Sequence, residues 1–324
     1  MARILGAIRK SPRCAMIAPM ACSGLMLETY RRIWLPEKDP ACQCQNAIID
    51  GLLNRAHVQR LERDGFVVLE GSESVLEKGT VRSANAEVRT FFARGRFLRS
   101  ANGSTIRQDM VCWLQETDGT ANAPDPDDRR LKPLGTSLLH CIAVLRGVAH
   151  ALDTQGYSGS HEHQVPKQLQ LGWYAGDGLS GYVRHSDYSD RSILEVGVLQ
   201  WLRASDRRAR VLTAILYLND PAWRPSSSTQ DAGGSRDGDG GELRCYHPAL
   251  ESQHSEGLAC ASAPSDLTQQ VYTDVVPRGG TLIIFDSRRI EHQVLPGRKD
   301  RFALSCWITG KLGPLPSSEN HTNS

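Results

Sequence analysis

The apolar positions change their period along the chain. From about residue 46 they recur at three- and four-residue steps, as Ile48, Ile49, Leu52, Leu53, Val58 and Leu61, until Gly65 stops the run. That is the stripe of a helix laid on a core. Phe66 to Leu69 reads as a short buried strand, a second helical stretch falls near 83 to 98, and Met110 to Leu114 reads as another strand. Residues 116 to 128 are acidic and broken by proline, which predicts a loop. A longer stripe, Leu134, Leu138, Leu139, Ile142, Leu145, Val148 and Leu152, predicts a long helix with Thr136 or Ser137 able to cap its start. Beyond it the period falls to that of strands, at 168 to 174, 211 to 218, 241 to 246, 271 to 276, 281 to 286 and 301 to 308, spaced as in a sandwich or barrel.

Segments without periodicity divide the remainder. Residues 225 to 240 are Ser-, Gly- and Asp-rich and predict a mobile loop, 249 to 268 are similarly featureless, and the tail after Gly310 predicts disorder. The domain reading is a tail over 1 to 45, a helical support region over 46 to 165, a β core over 166 to 310 and a disordered tail over 311 to 324. Residues 1 to 27 hold Arg3, Arg9, Lys10 and Arg13 with no acid before Glu28. This suits an organellar targeting segment as well as an unprocessed tail, so a cytoplasmic or nuclear location stands beside an organellar one.

Composition narrows the partners. The 324 residues are 40% apolar with a formal charge of +2, so no whole-chain field favours nucleic acid or an anionic membrane. No stretch reaches the roughly 18 apolar residues of a membrane-spanning helix. Nine cysteines without a C-x-x-C pair exclude a zinc ribbon and suit a reducing compartment, with Cys42 and Cys44 read as two loop cysteines.

The chemistry concentrates at few positions. A facial iron site needs two imidazoles and one carboxylate, and His-x-Asp at a strand end supplies two of these from one face. His185-Ser186-Asp187 has that spacing, although chance alone supplies roughly 0.65 such tripeptides in a chain with ten His and 21 Asp. The context is more specific. His292 follows the strand Thr281 to Asp286, and nine residues later Arg301 opens the strand Arg301 to Trp307. A guanidinium there is suited to holding the end of a buried dicarboxylate through paired, charge-assisted hydrogen bonds. Triad and anchor together describe an iron and 2-oxoglutarate site. His161-Glu162-His163 resembles a ligand pair but reads as a solvated loop, because nothing nearby completes it. The glycines of 176 to 181 read as the turn before the His185 strand, and Arg207 and Arg208 as a solvated face.

The segments Gly181 to Asp187, Arg210 to Asn219, Gly240 to Arg244 and Asp286 to Trp307 resemble the prolyl 4-hydroxylase branch of the 2-oxoglutarate-dependent oxygenases. They look closest to the hypoxia-inducible-factor type, and the resemblance extends upstream to Ile106 to Trp113. It implies a double-stranded β-helix, or jelly roll, with N-terminal supporting helices. It implies Fe(II) held by His185, Asp187 and His292, 2-oxoglutarate held by Arg301 and Tyr217, and O₂ as cosubstrate with L-ascorbate as reductant. Tyr174 and Tyr182 match aromatics lining the pocket, although one extra residue lies between Tyr174 and His185. Arg210 and Trp307 match the substrate entrance, and Arg107 and Asp109 a mobile substrate loop. The implied partner is a proline-containing protein or peptide, with oxygen sensing as a further implication. The chain departs from the family between Asp187 and His292, lengthened by 188 to 209, 225 to 240 and 249 to 268. Two alternatives stand beside this reading: an oxygenase for a small molecule or another protein side chain, and a non-catalytic jelly-roll binding protein.

Overall fold

The computed structural model describes residues 53–99, 106–115, 119–120, 134–188, 208–226, 238–248 and 270–312. Asn54 opens the first helix, α1 (Arg55–Asp64), by a reciprocal cap: its side chain accepts from the His57 N–H at 3.0 Å, and His57 Nδ1 accepts from the Asn54 N–H at 3.3 Å. Gly65 ends it at φ 83°, in the left-handed region that glycine enters without a Cβ penalty. Ile48, Ile49 and Leu52 lie outside the described residues. The chain continues directly into β1 (Phe66–Leu69).

The second helix, α2 (Lys78–Ala93), overlaps the expected span of 83 to 98 but begins and ends five residues earlier. Gly95 at φ 69° turns the chain out of the helix, and Leu98 and Arg99 become the short strand β2 (Leu98–Arg99). β3 (Met110–Gln115) follows, and β4 (Gly119–Thr120) pairs with it inside the span expected to be all loop. The rest of that loop lies outside the described residues.

The third helix, α3 (Thr136–Thr154), is capped by neither Thr136 nor Ser137. Its N-cap is Gly135, and the Leu138 N–H donates to Glu87 Oε2 of α2 at 3.2 Å. A carboxylate from a neighbouring helix therefore does the work of a local cap. A Cβ on Gly135 would stand 2.4 Å from that carboxylate, so glycine makes its approach possible.

His161-Glu162-His163 is not a loop. It lies in β5 (Ser160–Gln164), which pairs with the last strand. Glu162 bonds Lys311 at 2.7 Å and Arg208 at 3.0 Å, and His163 bonds Asp153 and Ser160, so these polar residues are consumed in fastening an edge. The other strands are β6 (Gln168–Tyr174), β7 (Tyr182–His185), β8 (Ala209–Tyr217), β9 (Leu243–Tyr246), β10 (Tyr272–Val275), β11 (Leu282–Asp286), β12 (Glu291–Val294) and β13 (Arg301–Leu312). β12 is a strand the apolar pattern does not announce, and β13 runs four residues past its expected end.

Two antiparallel sheets result. The larger has the order β1-β11-β8-β13-β6-β3-β2, with β4 beside β3 and β5 beside β13; the smaller is β10-β9-β12-β7. They form the jelly roll. The helices cover one face of the larger sheet, where Leu138, Ile142, Leu145, Val148 and Leu152 of α3 pack with Leu212, Leu216, Leu304 and Ile308. A second, smaller cluster lies between the sheets. No helix of the described residues is long and apolar enough to cross a membrane.

Of the three insertions, 189–207, 227–237 and 249–269 lie outside the described residues. The ends of the second are fastened, contrary to a loop free over its whole length. Ser226 gives its N–H and hydroxyl to buried Glu242, and the Arg224 N–H donates to Asp239 Oδ2 at 2.9 Å.

Candidate active site

β7 ends at His185, Asp187 stands two residues on, and β12 places His292 in register with His185. The Nε2 atoms of His185 and His292 lie 3.7 and 3.6 Å from the two oxygens of Asp187. These separations are too long for hydrogen bonds, yet one ligand atom from each residue falls within 4.8 Å of the others. His185 Nδ1 is 2.8 Å from the Val183 carbonyl, which fixes the proton there and leaves the Nε2 lone pair facing the cluster. Burial lowers the His292 imidazole to about 4, against the opposing pull of Asp187, so this ring is neutral at neutral pH. Burial pushes the Asp187 carboxyl up, but His292 and His185 outweigh it and hold the group below its ordinary value.

Two residues with no sequence signal of their own brace Asp187. The Thr213 hydroxyl donates to Asp187 Oδ2 at 2.9 Å and lies 3.0 Å from Ser287 Oγ. Both are fully buried.

The floor of the site is a ladder between β13 and β6. Arg301 pairs with Tyr174, Ala303 with Gly172 and Ser305 with Gln170, and all six line one open cleft of about 520 Å³ together with the His-Asp-His cluster. Arg301 is 3% exposed, and no carboxylate of the described residues lies within ion-pair reach of it. Its Nη2 donates to the Tyr217 hydroxyl at 3.3 Å, its Nε has no partner, and the Tyr174 and Tyr217 rings stand 5.2 and 5.0 Å from the guanidinium carbon. Burial pushes the Tyr217 phenol up to about 12, with Arg301 opposing, and raises Tyr174 as well, so both stay uncharged. A buried cation without a counter-ion is costly unless an anion is to arrive.

The other expected residues divide. Tyr182 lines the cleft and stacks on His185 with centroids 3.7 Å apart, and Trp307 lines it too. Tyr217 is fully buried behind Arg301 and is not on the cleft wall, whereas Tyr174 is. Arg210 is also off the wall, with its guanidinium 5.2 Å from the Trp307 ring centre. Arg107 and Asp109 do line the cleft, but the described part of their segment is not a free flap. Arg107 grips Asp109 in a bidentate pair at 2.5 and 2.7 Å, and backbone bonds from Gln108 to Gly181 and from Val183 to Ile106 tie it to β7.

Residues 169–309 match the model of the 2OG-Fe(II) oxygenase superfamily. The chain carries a 2OG-Fe(II) oxygenase domain. Among solved structures, it is similar to a prolyl hydroxylase from Trichoplax adhaerens in complex with a hypoxia inducible factor oxygen degradation domain peptide fragment. The two are 18% identical, with 85% of this chain and 94% of that one covered at a TM-score of 0.50. A Pseudomonas putida prolyl-4-hydroxylase is 22% identical over 79% and 97% of the two chains at 0.49. The non-heme alpha ketoglutarate dependent carbocyclase SnoK of nogalamycin biosynthesis is 13% identical over 81% and 85% at 0.48. The likeness to the Trichoplax structure is one of fold. None of the curated proteins compared with the chain matches it.

The residues fit what the oxygenase domain requires. Two imidazoles and one carboxylate, with one ligand atom from each brought together at the cleft wall, are the donor set of a non-heme Fe(II) centre. Arg301 lines the same cleft as a buried guanidinium with no carboxylate of the described residues in ion-pair reach.

Proposed function

We propose that the chain is a dioxygenase that hydroxylates prolyl residues in a protein or peptide. The observation that carries the cosubstrate assignment is Arg301, a buried guanidinium without a carboxylate partner in the cleft that holds His185, Asp187 and His292. Fe(II) with 2-oxoglutarate and O₂ supplies the oxidising chemistry, in which conversion of 2-oxoglutarate to succinate and CO₂ accompanies insertion of one oxygen atom into a substrate C–H bond. The three ligands hold the metal. Arg301 takes the C5 carboxylate, steadied by the Tyr217 hydroxyl behind it, and Tyr174 and Tyr182 close the sides. Residues 166–310 act as the catalytic core and 46–165 as its support.

The prolyl assignment rests on the sequence resemblance across Arg301 to Trp307, and the Trichoplax enzyme solved with its peptide is the fold precedent. In this reading the Arg107–Asp109 pair forms one rim and Trp307, backed by Arg210, the other, with an extended peptide between them. Ascorbate serves as reductant.

The test supplies the full-length protein with Fe(II), 2-oxoglutarate, ascorbate and proline-containing peptides, and follows succinate release and peptide mass. The expected result is succinate formed together with a gain of one oxygen atom on proline. Succinate without a peptide product would move the substrate to a small molecule or another side chain. No succinate under any condition would leave a binding protein.

A further inference from the structure

The strand pairing that brings the two histidines together stops short of Asp187. β7 ends at His185, opposite His292, and the carboxylate ligand stands two residues farther on, in no strand. Thr213 braces its side chain, but the sheet does not hold its backbone. Ser186, the middle residue of the His-x-Asp triplet, reaches across instead. Its hydroxyl donates to the Ser287 carbonyl oxygen at 2.8 Å and accepts the Tyr188 N–H at 3.1 Å. The acceptor is a fixed post. Ser287 is fully buried, its N–H donates to the Val211 carbonyl of β8 at 2.9 Å, and the preceding Asp286 is gripped by Arg288 at 2.7 Å and by the Tyr157 hydroxyl at 3.1 Å. Ser186 thus joins the segment after β7 to the turn between β11 and β12, which leads into His292.

We infer that Ser186 is a positioning residue for the metal centre, a clasp between the two ligand-bearing segments that sets Asp187 against His292 before the ion arrives. Ser186 is not on the cleft wall, so it acts through the backbone, whereas Thr213 acts on the carboxylate itself. The residue is exposed, and water could take its hydroxyl hydrogen; the hydrogen is committed to a chain carbonyl instead. Without the clasp, Asp187 would occupy several positions of which the ion binds one, and the apparent affinity falls by the fraction of the chain in that one position. The inference rests on the proposed ligation of Fe(II) by His185, Asp187 and His292.

The test titrates the full-length protein with Co(II), an ion whose visible absorption reports its coordination. Ser186→Val and Ser186→Thr introduce side chains of nearly the same shape that differ in the hydroxyl. Valine should raise the Co(II) Kd about three- to tenfold, the equivalent of one net hydrogen bond, and change the visible bands of the bound ion. Threonine should keep both close to wild type. Each variant should melt in a single transition near the wild-type temperature, because an exposed side chain carries no core packing. Equal Kd values and spectra for valine and threonine would overturn the clasp. So would a valine variant that loses cooperative melting while threonine keeps it, since the hydroxyl would then serve the fold and not the metal. Absence of Co(II) binding by the wild type would overturn the ligand set, and the clasp with it.

Discussion

Along β13, Phe302, Leu304, Cys306 and Ile308 point toward the helices and are all buried in the main core, while Arg301, Ala303, Ser305 and Trp307 point into the cleft. β6 divides in the same way, with Leu169 and Leu171 outward and Gln170, Gly172 and Tyr174 inward. A strand period of two separates these sets without any extra element. One face is apolar throughout and accounts for stability. The other holds a buried cation and a metal-ligand cluster, each unfavourable by itself, and it persists because the first face holds the sheet rigid. Substitutions on the two faces should therefore have separable effects.

The largest expected effect is on the cleft side. His292→Ala should reduce 2-oxoglutarate turnover to background while the protein melts as a single transition near the wild-type temperature, since the ligand lies outside the main apolar cluster. Retained activity would detach the triad from the chemistry. Next is the opposite face: Leu304→Ala, at a fully buried position, should cost about 2–5 kcal/mol in a denaturant titration. The folded fraction should keep the wild-type requirement for 2-oxoglutarate. A change in that requirement would show that the faces are coupled after all. Arg301→Lys comes third. An ammonium cannot reproduce two parallel hydrogen bonds, so the apparent 2-oxoglutarate requirement should rise about 10- to 100-fold with little loss of stability.

What the sequence could disclose follows the same division. The stripe of α3 and the alternation of β13 are local periodicities, so the helix, the strand and the inward aim of Arg301 are all readable. His-x-Asp at a strand end is readable for the same reason. The cap of α3 is not, because it comes from Glu87, 51 residues away, and needs the packing of two helices to exist. Tyr217 could be placed on its strand but not behind Arg301, since that depends on how deep the guanidinium sits. The Arg107–Asp109 pair shows the same limit. Two polar residues between a Gly- and Ser-containing stretch and a strand look mobile until β7 offers them backbone partners. Thr213 is the clearest case: in sequence it is one β-branched residue in an apolar run, and its role appears only when Asp187, 26 residues earlier, folds back onto it.

Thr213 therefore offers the finest test of the comparison, because it belongs to a strand that serves both faces. A threonine hydroxyl has one hydrogen, and the short contact to Asp187 Oδ2 commits it to the carboxylate. Ser287 must then donate to Thr213, giving a directed chain from Ser287 through Thr213 to Asp187. Thr213→Val keeps the branched shape against the core but removes the last donor in that chain. The Asp187 oxygen is then held less firmly toward the two histidines. Loss of such an orienting partner typically weakens metal affinity about 10- to 100-fold, and the lower end is expected here because both histidines keep their own supports. Isothermal titration of the variant with Mn(II) should show about a tenfold rise in Kd, and Thr213→Ser, which restores the hydroxyl at the cost of packing alone, should return it toward wild type. If valine binds Mn(II) as tightly as the wild type while serine binds it more weakly, the methyl contact and not the hydrogen bond is responsible, and Thr213 belongs with the packing face of the sheet.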